Sequence, residues 1–184
     1  KRIERCMTMY LDSAYLDSVY KLADKWHTGQ TRSNGIPYIM HPIDVLKCLW
    51  YRGISDEIVL ATALCHDLLE DTQITEEELS RVAGPEVLEA VKQLTNKVPQ
   101  GTPFKEKTES MLEHAKTYND VAKRVKLADR YCNVYDSIGE WEPARVKRYA
   151  AAGLQLLDTM QPLPNDVKSL EDKATKLFCL YGLD

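Results

Sequence analysis

The 184-residue chain has no apolar run near the ~20 residues that a membrane-crossing helix needs, and no recognisable signal peptide. Neither membrane insertion nor export is expected of it. An excess of positive charge is also missing: 24 Lys and Arg stand against 28 Asp and Glu, for a formal net charge of −4. That balance excludes a general nucleic-acid or membrane-surface role driven by overall charge. There is no Cys-x-x-Cys pair; the five cysteines, Cys6, Cys48, Cys65, Cys132 and Cys179, are scattered. An odd, dispersed set fits reduced thiols in a cytoplasm better than a disulfide framework. No stretch alternates like a β-strand, and no internal repeat, low-complexity tract or linker interrupts the chain. What is there, 44% hydrophobic and 28% charged residues, describes an ordinary globular protein of one domain, residues 1–184.

Helical periodicity dominates instead. A first helix is expected over Leu11–His27, with Ala14, Val19, Leu22, Ala23 and Trp26 facing inward. A polar loop, Thr28–Gly35, leads to a Pro-flanked connector, Pro37–Pro42, with Pro42 opening a helix that stops near Gly53. Ser55 or Asp56 caps the next helix. Thr75 and Glu78 read as a capping box, Gly84-Pro85 breaks the chain, and Asn96–Thr102 is a loop. Further helices are expected at about Glu106–Thr117, Asp120–Ile138, Pro143–Met160 and Val167–Tyr181. The fold class is all-α.

The chain is organised around Ala61–Thr72. This stretch continues the apolar pattern of Ile58 and Val59 and places His66, Asp67, Glu70 and Asp71 within it. The stretch is expected to be helical throughout, and spacing of four then sets His66 over Glu70 and Asp67 over Asp71. Three carboxylates this close raise one another's pKa unless a cation sits among them. They also fall near a helix C-terminus, where the macrodipole disfavours negative charge. A divalent metal is the simplest compensation. Cys65 beside His66 is not a nucleophile pair, since side chains at i and i+1 diverge on a helix.

Two further positions join this set. His41 stands in the Pro-flanked connector. Asp129 lies within the apolar-patterned Val125–Asn133, aligned with Lys126 and Asn133, and a carboxylate so placed needs a partner. Lys126 or Arg130 is the local choice; the metal satisfying His66 and Asp67 is the other. Two imidazoles and two carboxylates suit a divalent first-row ion such as Mn²⁺, Fe²⁺ or Zn²⁺ far better than Ca²⁺. Glu70 and Asp71, one turn on, are placed to position or deprotonate water.

The order His41, His66-Asp67, Asp129 resembles the H…HD…D pattern of HD-domain phosphohydrolases. More narrowly, the chain resembles the hydrolase domain of the RelA/SpoT group and the small alarmone hydrolases. The matching blocks are His27–Arg32, Pro37-Tyr38…His41-Pro42, Ala63–Thr72, Thr75–Leu79, Lys126–Asn133 and Trp141…Arg145…Tyr149. The resemblance implies a single helical HD domain in which His41, His66, Asp67 and Asp129 hold a metal, usually Mn²⁺. It implies that Glu70 and Asp71 activate water, that Arg32 packs on the nucleotide base and that Asn133 meets the ribose side. Arg145 and Tyr149 match phosphate- or sugar-contacting positions.

The activity so implied is removal of the 3′-pyrophosphate from (p)ppGpp by a stand-alone cytoplasmic hydrolase, with a small nucleotide as its partner and no nucleic acid or membrane. Two departures bear on the substrate. Ser33 stands where relatives often have a basic residue, and Tyr131-Cys-Asn-Val-Tyr135 replaces Leu-His-Asn-Met-Arg. The alternatives are another nucleotide, such as NADPH or ppApp, or a non-catalytic alarmone-binding module.

Overall fold

A computed structural model describes residues 13–99 and 101–183. Among them the regular structure is helical, apart from one isolated bridge between Thr31 and Pro37. The helices are α1 (Ala14–Trp26), α2 (Met40–Trp50), α3 (Glu57–Cys65), α4 (Leu68–Asp71), α5 (Glu76–Ala83), α6 (Pro85–Leu94), α7 (Phe104–Ala115), α8 (Asp120–Ser137), α9 (Pro143–Thr159) and α10 (Lys168–Gly182). A 3₁₀ turn, Asn165–Val167, leads into α10. None is long and apolar enough to cross a membrane among the described residues.

α3 is the axis. Every residue from Val59 to Cys65 is buried, so its surface is apolar all round rather than on one stripe. A helix of that kind belongs in the middle of a core, and α3 packs against α1, α2, α6 and α8. Asp56 starts it, its carboxylate accepting from the Ile58 and Val59 amides. α9 and α10 pack as an antiparallel pair beside α8. Their approach is close enough that a Cβ on Gly153 would lie 2.9 Å from the Phe178 ring.

Several boundaries differ from the sequence expectation. The start of the first expected helix, before Ser13, lies outside the described residues; within α1, Leu16 and Tyr20 are buried while Ala14 is exposed. α2 begins two residues before Pro42, so His41 is in its first turn and not in a connector. First-turn amides have no intrahelical partner, and proline therefore costs little there. Thr75 caps α5 by accepting from the Glu78 amide at 3.1 Å, but the Glu78 carboxylate turns to Lys25 and Trp26. Only half of the capping box forms. Gly84, at φ +91°, ends α5 and opens α6 in one residue, a conformation L side chains rarely adopt.

Candidate metal and nucleotide site

The expected continuous helix over Ala61–Thr72 is broken. α3 stops at Cys65, and Asp67 (φ −98°, ψ −5°) becomes the N-cap of the one-turn α4. The Asp67 carbonyl accepts from the Glu70 and Asp71 amides at 3.2 and 2.8 Å. The break sends His66 and Asp67 inward, while Glu70 and Asp71 lie at the far end of the new turn.

His41 from α2, His66 and Asp67 from the α3–α4 break and Asp129 from α8 converge. His41 Nε2 lies 3.2 Å from Asp129 Oδ1 and 3.9 Å from Asp67 Oδ2. His66 Nε2 lies 3.1 Å from Asp67 Oδ2 and 3.8 Å from Asp129 Oδ1. The ligand atoms of His41, His66 and Asp129 all fall within 4.8 Å of one another, and all three residues are buried.

The donor set fits a divalent cation. His66 Nδ1 is 2.8 Å from the Ala63 carbonyl oxygen, which can only accept, so Nδ1 carries the proton. Nε2 is then turned toward two carboxylates, buried and without a hydrogen-bond partner among the described residues. A cation among these atoms would satisfy that nitrogen and both acids together. Without one, burial disfavours the His66 cation, but Asp67 and Asp129 overcome it and hold the His66 pKa well above the ordinary range. Burial likewise opposes ionisation of Asp67 and Asp129. For Asp67 the His66 charge prevails, and for Asp129 the Lys126 ammonium, 2.9 Å away, so both stay well below the carboxylate range. Lys126 was one of two local partners open to Asp129. The other, Arg130, turns away, its Nη2 2.8 Å from Met111 Sδ and its guanidinium 3.9 Å above the Tyr149 ring.

A ring of polar residues fixes the cluster. Asn133 donates to Asp129 through Nδ2 and accepts from Arg32 Nη2 at 2.9 Å through Oδ1. Arg32 also pairs with Asp136 at 2.8 Å and donates toward His41 Nδ1 at 3.3 Å. A ligating His41 Nε2 would carry its proton on Nδ1, so ligation and that last bond exclude one another. The Tyr38 hydroxyl reaches Asp67 at 2.6 Å and Asp71 at 3.0 Å, with one proton for both. Sequence reasoning missed Tyr38 and Asp136. Tyr38 sits in a matching block, but its carboxylate partners are distant in the chain.

Two cavities flank the cluster. The first, 480 Å³, is bounded by Glu70 and by Lys107, Lys126, Arg130, Arg145, Arg148 and Tyr149. Glu70 accepts from the Asn96 amide at 3.1 Å. Glu70 keeps an exposed edge, yet partial loss of hydration, and the charges of Asp67 and Asp71, raise its pKa above its ordinary value. Asp71 is raised for the same reasons, loss of hydration first and then Asp67. The second cavity, 320 Å³, is bounded by Arg32, Ser33, Tyr38, Asn133, Asp136 and Glu140. Trp141 and Arg145, stacked at 3.7 Å, belong to both. All ten residues singled out in the sequence therefore line or adjoin one continuous region. Of the two departures, Ser33 lines the second cavity; Tyr135 is exposed and stacks on Tyr131, outside both.

A profile of the HD domain matches residues 20–158. The guanosine-3′,5′-bis(diphosphate) 3′-pyrophosphohydrolase MESH1 of Danio rerio is 34% identical over 175 residues, spanning 91% of this chain and 94% of that protein. The bifunctional (p)ppGpp synthase/hydrolase SpoT of Escherichia coli K12 is 32% identical over 147 residues, which are 77% of this chain but 20% of SpoT. Among solved structures, one described as a metazoan ortholog of SpoT that hydrolyses ppGpp superposes with a TM-score of 0.82 at 28% identity. It covers 95% of this chain and 99% of its own.

Proposed function

From its membership of the HD-domain family, to which the chain belongs, we infer that it is a metal-dependent (p)ppGpp 3′-pyrophosphohydrolase. The observation that carries the reading is the convergence of His41, His66, Asp67 and Asp129 between Glu70 and a cation-rich cavity. These four residues would hold the metal, in our reading Mn²⁺. Once bound, such an ion supplies charge neutralisation on phosphoryl oxygens and acidifies water. The cysteine pattern favours a cytoplasmic location, and the whole site lies in one domain.

Glu70 and Asp71 are the residues assigned to water. Their raised pKa values suit proton acceptance better than those of free carboxylates. Glu70 faces the first cavity, so it is the acceptor; Asp71, bridged to Asp67 by Tyr38, orients. The first cavity takes the phosphates. Arg130 supports this: it is buried, and its Nε and Nη1 have no hydrogen-bond partner among the described residues. Buried guanidinium donors left free toward a cavity suit a phosphate oxygen. Arg145 and Tyr149, four apart on α9, stand on the same wall. The second cavity, with the planar groups of Arg32 and Trp141 and the amide of Asn133, takes the base and ribose. Water attacks the phosphorus bonded to O3′, the P–O3′ bond breaks, and O3′ leaves with a proton as pyrophosphate departs.

Ser33 in the second cavity favours a second reading, a different nucleotide. The experiment offers the Mn²⁺-loaded enzyme ppGpp, pppGpp, ppApp and NADPH side by side. Pyrophosphate released from the first two is the expected result. Inorganic phosphate from NADPH, with no reaction of ppGpp or pppGpp, would overturn the substrate while leaving the metal site standing.

A further inference from the structure

α2 and α8 carry, besides His41 and Asp129, one cysteine each. Cys48 lies about two turns beyond His41, and Cys132 about one turn beyond Asp129. The two thiols lie on the seam where the helices pack: Cys132 Sγ reaches the Asp44 carbonyl, one turn before Cys48 on α2. Arg52 holds its Nη1 3.2 Å from Cys48 Sγ and donates to the Cys48 carbonyl at 2.5 Å. The Tyr131 ring, 5.4 Å from the guanidinium carbon, holds Arg52 in place. On the other side, Cys132 Sγ lies 3.8 Å from the Asp44 carbonyl oxygen. Both cysteines keep a trace of exposure, 8% and 9%, whereas Cys65 is sealed at 0%.

We infer that Cys48 and Cys132 are a peroxide-oxidisable dithiol that closes to an intrachain disulfide, tying α2 to α8 beside the metal cluster. The two sulfurs have distinct roles. The neighbouring Cys132 and the Arg52 guanidinium, its Nη1 3.2 Å from Cys48 Sγ, lower the Cys48 pKa despite burial, while the nearness of Cys48 and burial raise that of Cys132. Cys48 is the sulfur that attacks, and Cys132 the one that resolves. In the first step the Cys48 thiolate attacks one oxygen of hydrogen peroxide; the O–O bond breaks, water leaves after taking up a proton, and Cys48 becomes a sulfenic acid. In the second, Cys132 sulfur attacks the Cys48 sulfur, the S–OH bond breaks, and the hydroxide takes the Cys132 proton to leave as water. The two thiols lose two electrons and two protons, and one peroxide becomes two waters.

The test is peptide mapping of the intact protein after stoichiometric hydrogen peroxide, with thiols blocked before digestion. The expected product is a peptide pair linked through Cys48 and Cys132, lighter by two hydrogens and restored by a thiol reductant. Cys132→Ala should leave a Cys48 sulfenic acid that a dimedone probe traps; Cys48→Ala should leave Cys132 a thiol. Arg52→Gln should slow the loss of the Cys48 thiol several-fold. Oxidation that falls first on Cys65 or Cys179, or that leaves Cys48 and Cys132 as thiols, would overturn the inference. The wild-type map decides the matter even if a variant fails to fold.

Discussion

Glu70 is a residue where rate and stability should move in opposite directions. Its carboxylate accepts one amide hydrogen bond from Asn96, is partly dehydrated, and is repelled by Asp67 and Asp71. A carboxyl whose pKa is raised by folding binds its proton more tightly in the native state. Its contribution is therefore favourable at low pH and is lost as pH rises through the folded-state pKa. At neutral pH the ionised group opposes folding. Glu70→Gln keeps an acceptor for Asn96 and removes the charge, so the melting temperature at pH 7 should rise, by less at pH 4. The same change should lower kcat by about 10²–10⁴-fold with metal content unchanged. A rate loss under threefold would make Glu70 a structural acid. Tyr38→Phe is the companion at this scale. It takes the hydroxyl from between Asp67 and Asp71, and loss of such a supporting bond should weaken metal binding about tenfold, measured by titration calorimetry. Asp67→Asn removes a donor itself and should abolish metal-dependent turnover while α3 stays folded, as circular dichroism would show.

At the scale of elements, α8 presents four side chains to the site on one stripe: Lys126, Asp129, Arg130 and Asn133 are spaced by three and four. That stripe is legible in the sequence, because a carboxylate inside an apolar helical pattern asks for a partner. The His66–Asp67 pair is legible for the same reason. The break between α3 and α4 is not, since Leu64, Leu68 and Leu69 continue a helical period and no Gly or Pro marks the stop. The stop goes with one local and one long-range contact: His66 bonds back to Ala63, and Asp67 turns toward its neighbour His66 and toward His41 from α2. Arg32–Asp136 and Tyr38–Asp71 are hidden in the same way, being pairings of residues far apart in the chain. α8 begins at Asn119, whose Oδ1 accepts from the Ala122 amide at 2.8 Å. Asn119→Ala should cost about 1 kcal/mol of stability and lower the melting temperature. Metal affinity should hold, because the site residues begin more than a turn further on.

Over the whole molecule, net charge and local charge have opposite signs. The chain carries −4, yet among the described residues the first cavity gathers Lys107, Lys126, Arg130, Arg145 and Arg148 against one acid, Glu70. Lys126 is already paired with Asp129, so the other four are what a polyanion would meet. Like charges held this close repel, and an anion that relieves the repulsion must stabilise the fold by linkage. Inorganic pyrophosphate alone, without metal, should therefore raise the melting temperature of the wild-type protein. The shift should shrink as NaCl is raised to about 0.5 M, because exposed charges are screened over a few ångströms there. Lys107 and Arg148 line the cavity from α7 and α9 and are exposed, so their removal disturbs no core contact. The Lys107→Ala/Arg148→Ala double variant should fold, lose most of the pyrophosphate-induced shift and bind ppGpp with a higher KM at nearly unchanged kcat. An undiminished shift in that variant would move the phosphates out of the first cavity, and Arg32 would then be the cation to test.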